Sequence, residues 1–123
     1  DNIINLQYIF EKCEALCSIN NFQNINTKYL KNIDGLFSNC SSLSYIDGIS
    51  NWNTTNINTM KNIFFLCSSL EILPNISKWN TSNLNSIASL FAGCSSLKEL
   101  PDLSKWETKN LKTISLLNGI QKI

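Results

Sequence analysis

Four cysteines, Cys13, Cys40, Cys67 and Cys94, are the residues best suited to chemistry in this 123-residue chain, and they recur every 27 residues. Thiolates bind zinc and oxidise to disulfides, but cysteine zinc sites usually place two ligands about two to four residues apart. Residues at a long fixed period point the same way from stacked units, which fits disulfide geometry poorly. The pattern therefore favours small buried thiols that pack as hydrophobic side chains. A metal site and a ladder of disulfides are the alternatives.

The fifth cysteine, Cys17, differs because the positions one period apart from it are Ser44, Glu71 and Lys98. All three are polar, so we expect the Cys17 thiol to face solvent. Its spacing from Cys13 is not that of the Cys-X-X-Cys redox motif. Cys17 is then an incidental exposed thiol or, alternatively, one that pairs with another molecule.

Composition argues against catalysis and against several classes of partner. The chain has no histidine, which removes the commonest general base and the usual partner of a nucleophilic serine or cysteine. Ten basic and nine acidic residues leave a net charge of +1, so no charge pattern indicates binding to nucleic acid. No apolar run reaches the about 18–20 residues of a membrane span. We therefore expect no enzyme activity, no cofactor, no nucleic-acid partner and no membrane insertion by this segment.

The cysteines form one column of a repeat that runs without insertion or deletion from Leu6 to Leu117. A unit this short cannot bury its apolar face alone, so we expect the units to stack as a solenoid in which each column packs on itself. Because Ile25 takes the tryptophan slot of the first unit, core packing is favoured over an aromatic binding stripe. The other columns are Phe10, Phe37, Phe64 and Phe91; Leu16, Leu43, Leu70 and Leu97; Trp52, Trp79 and Trp106; and Thr27, Thr54, Thr81 and Thr108.

Each unit reads as one helix followed by one extended segment. The apolar residues of "TSNLNSIASLFAGC" (residues 81–94) are spaced to lie on one helical stripe, with Gly93 as the C-terminal stop. The following "CSSLKELPDLSKW" suits a short extended segment, and Pro74 and Pro101 lack the N–H that a sheet ladder needs, so any strand ends near them. The sequence predicts an α/β solenoid of about four and a half 27-residue coils, each a short helix plus a short extended strand.

The stretch "LFAGCSSLKELPDLSKWETKNL" (residues 90–111) resembles the BspA-like leucine-rich repeats of bacterial and protist surface proteins. The shared pattern is a Phe, a Cys three residues later, "SL", a Pro-Asp slot, "SKW" and a Thr. This resemblance implies a leucine-rich-repeat-like fold and a role in surface adhesion or recognition, and it brings no catalytic residues. The first unit departs from the pattern at Asn20, at Ile25 and at the additional Cys17.

The domain organisation follows from where the columns hold and where they fail. Residues 1–117 are predicted to form one repeat domain. Residues 118–123 are predicted to be a degenerate terminal segment, because Asn118 and Gln121 occupy the Phe and Cys slots. Asp1 enters midway through a unit, so we expect further repeats before it, within a longer protein.

Residues that vary between units mark a candidate recognition stripe. Packing keeps the residues of the repeated columns the same, whereas residues that contact a partner can differ from unit to unit. The alternative is that these positions vary because nothing constrains a solvated surface. The candidates lie in the extended segments after each "SSL" and around the proline slot: Ser44, Tyr45, Asp47, Glu71, Ile72, Asn75, Lys98, Glu99 and Asp102.

These observations predict a non-catalytic protein–protein interaction module. The leading hypothesis is a surface-exposed recognition or adhesion domain at the cell surface, with another protein as partner and a glycan as a further option. The alternative is a structural scaffold subunit inside a large intracellular assembly, because reduced buried cysteines fit a reducing compartment as well.

Overall fold

The computed structural model describes residues 3–111, and residues 3–110 form four successive 27-residue units: 3–29, 30–56, 57–83 and 84–110. The predicted terminal segment, residues 118–123, lies outside the described residues. Regular secondary structure in the described part is sparse. Strand β1 (Ser18–Ile19) pairs in parallel with strand β2 (Tyr45–Ile46), and a 3-10 helix spans Phe22–Asn24.

The prediction of an α/β solenoid of about four and a half coils, each a helix plus a strand, is wrong. Residues 3–111 contain no α-helix, and strands of two residues each occur in the first two units only. In the second unit the predicted helix is a run of tight turns. The N–H of Leu36 donates to the Ile33 carbonyl, that of Ser38 to Gly35, and that of Cys40 to Phe37, at 3.1, 3.0 and 3.1 Å. Each bond spans three residues rather than the four of an α-helix.

The N–H groups that alternate with these donors form their hydrogen bonds with the next unit. Those of Gly35, Phe37 and Asn39 donate to the carbonyls of residues 61, 63 and 65 in the third unit, at 2.8, 2.9 and 2.7 Å. The first unit bonds to the second, and the third to the fourth, in the same alternating way. An α-helix would use every interior N–H internally. Alternate bonding within and between units therefore replaces the helix and joins each unit to the next.

Left-handed backbone at two positions in every unit makes these turns possible. The φ angle is positive, between 54° and 78°, at eight residues that form two columns of the repeat. Glycine and asparagine, which adopt this conformation most readily, fill half of the eight. A Cβ at Gly35 would overlap the ring of Tyr8 in the preceding unit, so glycine also provides space there. The two columns are Tyr8, Gly35, Asn62 and Ser89, and Lys12, Asn39, Leu66 and Gly93.

Substitution at Asn39, where φ is 63°, distinguishes the turn from a helix. Asn39→Ala is expected to lower the free energy of unfolding by about 1 kcal/mol, because alanine lacks the short polar side chain with which asparagine stabilises left-handed backbone. Asn39→Gly should be neutral or stabilising. In a helix the order would reverse, since glycine is about 1 kcal/mol worse than alanine there. Chemical denaturation of the two variants measures the difference, and a more stable alanine variant would contradict the turn assignment.

Asparagine side chains close further turns at the unit boundaries. The side-chain oxygens of Asn26, Asn53 and Asn80, one period apart, each accept the N–H two residues later, at 3.1, 3.1 and 3.0 Å. Such turns are a known preference of asparagine. They account for part of the unusual content of 19 asparagines.

The core between the units consists of stacked identical side chains. The rings of Phe10, Phe37, Phe64 and Phe91 follow one another with centroids 5.9 Å apart at each step. Phe37, Phe64 and Phe91 are fully buried, and Phe10 in the first unit is half-buried. The predicted packing of this column on itself is confirmed.

The tryptophan column is also core, as predicted, and each indole is 4–7% exposed. Every indole N–H reaches back one unit to a backbone carbonyl: Trp52 to Phe22, Trp79 to Ile49 and Trp106 to Ile76, at 3.1, 2.8 and 3.0 Å. The indole donor is thereby satisfied inside the core, which is the usual condition for burying tryptophan.

Candidate functional site

The cysteine column has no nucleophilic or metal-binding geometry among residues 3–111. The thiols of Cys40, Cys67 and Cys94 donate to the carbonyls of Phe10, Phe37 and Phe64 at 3.0–3.1 Å. All five cysteines are free thiols. Burial raises the pKa of Cys40 and of Cys94 to about 11 and raises the pKa of Cys67 further still.

These buried thiols are therefore protonated at neutral pH. A cysteine acts as a nucleophile or as a metal ligand only in its thiolate form. No group of three His, Cys, Asp or Glu side chains in the described residues could hold a metal ion. Cys17 is exposed, as its polar counterparts predicted.

The candidate recognition residues lie on the extended segments, where the first two units form a short ladder. The Ser44 N–H donates to the Cys17 carbonyl, and the Asp47 N–H donates to the Ile19 carbonyl, both at 2.9 Å. Between them β2 pairs with β1, with Tyr45 exposed and Ile46 buried. This pairing fixes the direction in which the candidate side chains of the second unit project.

The ladder does not continue to the third unit, where proline replaces one of its two donors. Pro74 stands one period after Asp47 and has no N–H, so the bond from Asp47 to the Ile19 carbonyl has no counterpart there. No backbone hydrogen bond joins residues 44–50 to residues 71–77. Neither Pro74 nor Pro101 lies in a strand, so the expectation that a strand ends near them has no strand to apply to.

A groove of about 370 Å³ separates these two unpaired segments. Tyr45 and Ile72, one period apart, line it with 53% and 63% of their surface exposed. The buried Ile46 and Leu73 contribute apolar lining, and Asp47 contributes a carboxylate. The groove therefore combines exposed apolar side chains with backbone that is not paired across it.

Three further hollows adjoin this region on the same or neighbouring segments. One of about 460 Å³ includes Pro74, Asn75, Glu99 and Asp102. A second of about 240 Å³ includes Asp47 and Gly48, and a third of about 480 Å³ includes Glu71 and Lys98. Together the groove and hollows contain all nine candidate residues: Ser44, Tyr45, Asp47, Glu71, Ile72, Asn75, Lys98, Glu99 and Asp102.

The groove itself is acidic. Its lining includes Asp47 and Glu71 and no lysine. Lys98 lies 3.3 Å from the Glu71 carboxylate, but the two side chains are 67% and 56% exposed, and such ion pairs contribute little to stability. In the next hollow, hydrogen bonds from Ser104 lower the pKa of the Asp102 carboxyl.

Sequence reasoning found the variable residues but missed the groove that they border. Ile46, Ser50, Leu73 and Pro74 all line it and were not among the candidates. The available signal was Pro74, because a missing donor in one column predicts a gap between neighbouring segments and not only the end of a strand.

Within the described residues there is no helix long and apolar enough to cross a membrane. No curated protein and no solved structure matches the sequence. A family model does match, over residues 3–120, which include all four units. The chain therefore belongs to the family described as Mycoplasma protein of unknown function, DUF285.

Proposed function

We propose that the chain is a non-catalytic protein–protein interaction module whose partner binds over the groove between residues 44–50 and 71–75. The observation that carries this proposal is the pair Tyr45 and Ile72, which remain more than half exposed side by side on that groove. The column residues around them are buried. Exposed aromatic and aliphatic side chains beside a concave surface are typical of binding sites.

The resemblance to BspA-like repeats supports a more specific role, recognition or adhesion at the cell surface. It rests on the Phe, Cys, Pro-Asp and Trp slots of the motif. Another protein is the proposed partner, and a glycan is the alternative ligand.

A second candidate function, a scaffold subunit of an intracellular assembly, is favoured by the thiols. All five cysteines are free and three of them are fully buried. Free thiols are the usual state of cysteine in reducing compartments.

Site-specific photo-crosslinking in the cells that produce the protein tests the proposal. A photoreactive phenylalanine is placed at position 45 or 72, and at position 29 as the control. Tyr29 is 43% exposed and lines none of the hollows. We expect one protein to be linked from positions 45 and 72 and not from position 29.

The identity of the linked protein separates the two candidates. A surface or extracellular protein supports recognition, whereas a stoichiometric intracellular neighbour supports the scaffold and rules out adhesion. Equal linking from all three positions would show that this face is not the binding surface.

A further inference from the structure

Resting on the proposed function, we infer that the groove binds an extended peptide segment carrying a basic side chain, which adds its backbone alongside β2. The occupant is a peptide from another protein, not a folded surface and not a nucleic acid. Three features of the groove lead to this assignment.

The first feature is an acceptor without its donor. In the first unit the Ile19 carbonyl accepts the N–H of Asp47. The corresponding donor for the Ile46 carbonyl would be the N–H of residue 74, which is proline. An extended peptide in the groove can supply that N–H, as in other complexes where a peptide adds a strand to a sheet edge.

The second feature is the position of the exposed apolar side chains on both segments that border the groove. Tyr45 and Ile72 are equivalent residues on neighbouring segments, and both line the groove. A peptide between the segments would have apolar surface on either side of it. Its successive side chains point in opposite directions, so alternate residues can contact the groove walls while the others remain in solvent.

The third feature is charge. Asp47 and Glu71 line the groove without a lysine, and Glu99 and Asp102 line the hollow beside it. Asp47 forms no ion pair within residues 3–111. Lys98 engages Glu71 only through an exposed pair, which a basic group of the peptide can replace at little energetic cost. Complementarity therefore selects lysine or arginine and disfavours acidic peptides and nucleic-acid phosphates.

Titration of the purified chain with synthetic hexapeptides, followed by amide NMR shifts, tests the inference. The probe alternates valine and lysine. One comparison peptide has glutamate in place of lysine, and another has N-methylated backbone amides. We expect shifts confined to residues 44–50 and 71–75 with the lysine peptide, and at least about tenfold weaker binding of both comparison peptides.

Variants identify the groups responsible. Asp47→Asn should lower the affinity for the lysine peptide about two- to fivefold, and Ile72→Ser should lower it about tenfold. Pro74→Ala restores an N–H that can reach the Ile46 carbonyl, so it should also weaken binding. Glu14→Gln and Tyr29→Ala alter exposed residues elsewhere and should leave the affinity unchanged. Thermal unfolding of each variant confirms that it is folded.

Equal binding of the glutamate peptide, or shifts spread over other segments, would overturn the inference. So would the absence of binding by the lysine peptide. If crosslinks form from positions 45 and 72 while the peptide does not bind, the peptide mode is wrong and the interaction module stands. If neither is observed, both proposals are wrong.

Discussion

Replacing Phe64 by alanine is expected to lower the free energy of unfolding by about 3–5 kcal/mol, a large part of the stability of a domain this size. Phe64 is fully buried and stacks on Phe37 and on Phe91, with both centroid distances 5.9 Å. Removing it leaves a cavity between the third unit and each of its neighbours and breaks two aromatic contacts. Urea denaturation followed by circular dichroism gives the change.

The matched control is Phe10→Ala in the first unit. Phe10 occupies the same column but is half-buried and meets the column on one side only, at Phe37. We expect a loss of about 1–2 kcal/mol there, in proportion to its smaller burial. Equal losses at both positions would mean that stability does not depend on stacking between units.

The period and the buried columns could be predicted from the sequence, because apolar residues that recur every 27 residues become buried when short units stack on one another. The path of the backbone between them could not. Ile33, Leu36, Phe37 and Cys40 are spaced like a helical stripe, yet the same spacing results from three overlapping turns. Burial pattern alone does not separate the two.

The sequence nevertheless contained a signal against the helix. Gly35, Asn39, Asn62 and Gly93 fall in two fixed columns, and both residue types favour positive φ. Reading Gly93 as a helix stop used only one of the four. Tyr8 and Leu66 in the same columns hid the pattern, because neither residue ordinarily adopts left-handed backbone.

The candidate site was predictable as a set of residues and not as a shape. Variation between units identified Tyr45 and Ile72, since both lie outside the columns of identical residues. The groove between them depends on a hydrogen bond that is absent, and an absent bond appears in a sequence only through proline. Pro74 indicated that a backbone donor is missing, whereas the width and lining of the groove depend on how the third unit packs on the second.

The tryptophan column offers the second large effect. Trp79→Ala is expected to lower the free energy of unfolding by about 3–5 kcal/mol, because the indole is 4% exposed and its N–H donates to the Ile49 carbonyl at 2.8 Å. Trp79→Phe keeps most of the apolar surface and loses the donor, so we expect a smaller loss of about 1–2 kcal/mol. The Ile49 carbonyl keeps the N–H of Trp52 as a donor, so it is not left unpaired.

Tyr45→Ala provides the comparison, because Tyr45 is an exposed aromatic residue of the same domain. Its removal should change the free energy of unfolding by no more than about 0.5 kcal/mol. It should also weaken the binding of the crosslinked partner or of the lysine peptide. Trp79→Phe should do the opposite, reducing stability and leaving affinity intact wherever the protein is folded. If Trp79→Phe weakened binding without loss of stability, the tryptophan column would be part of the recognition surface. The two variants thus separate the aromatic residues that hold the units together from those available to a partner.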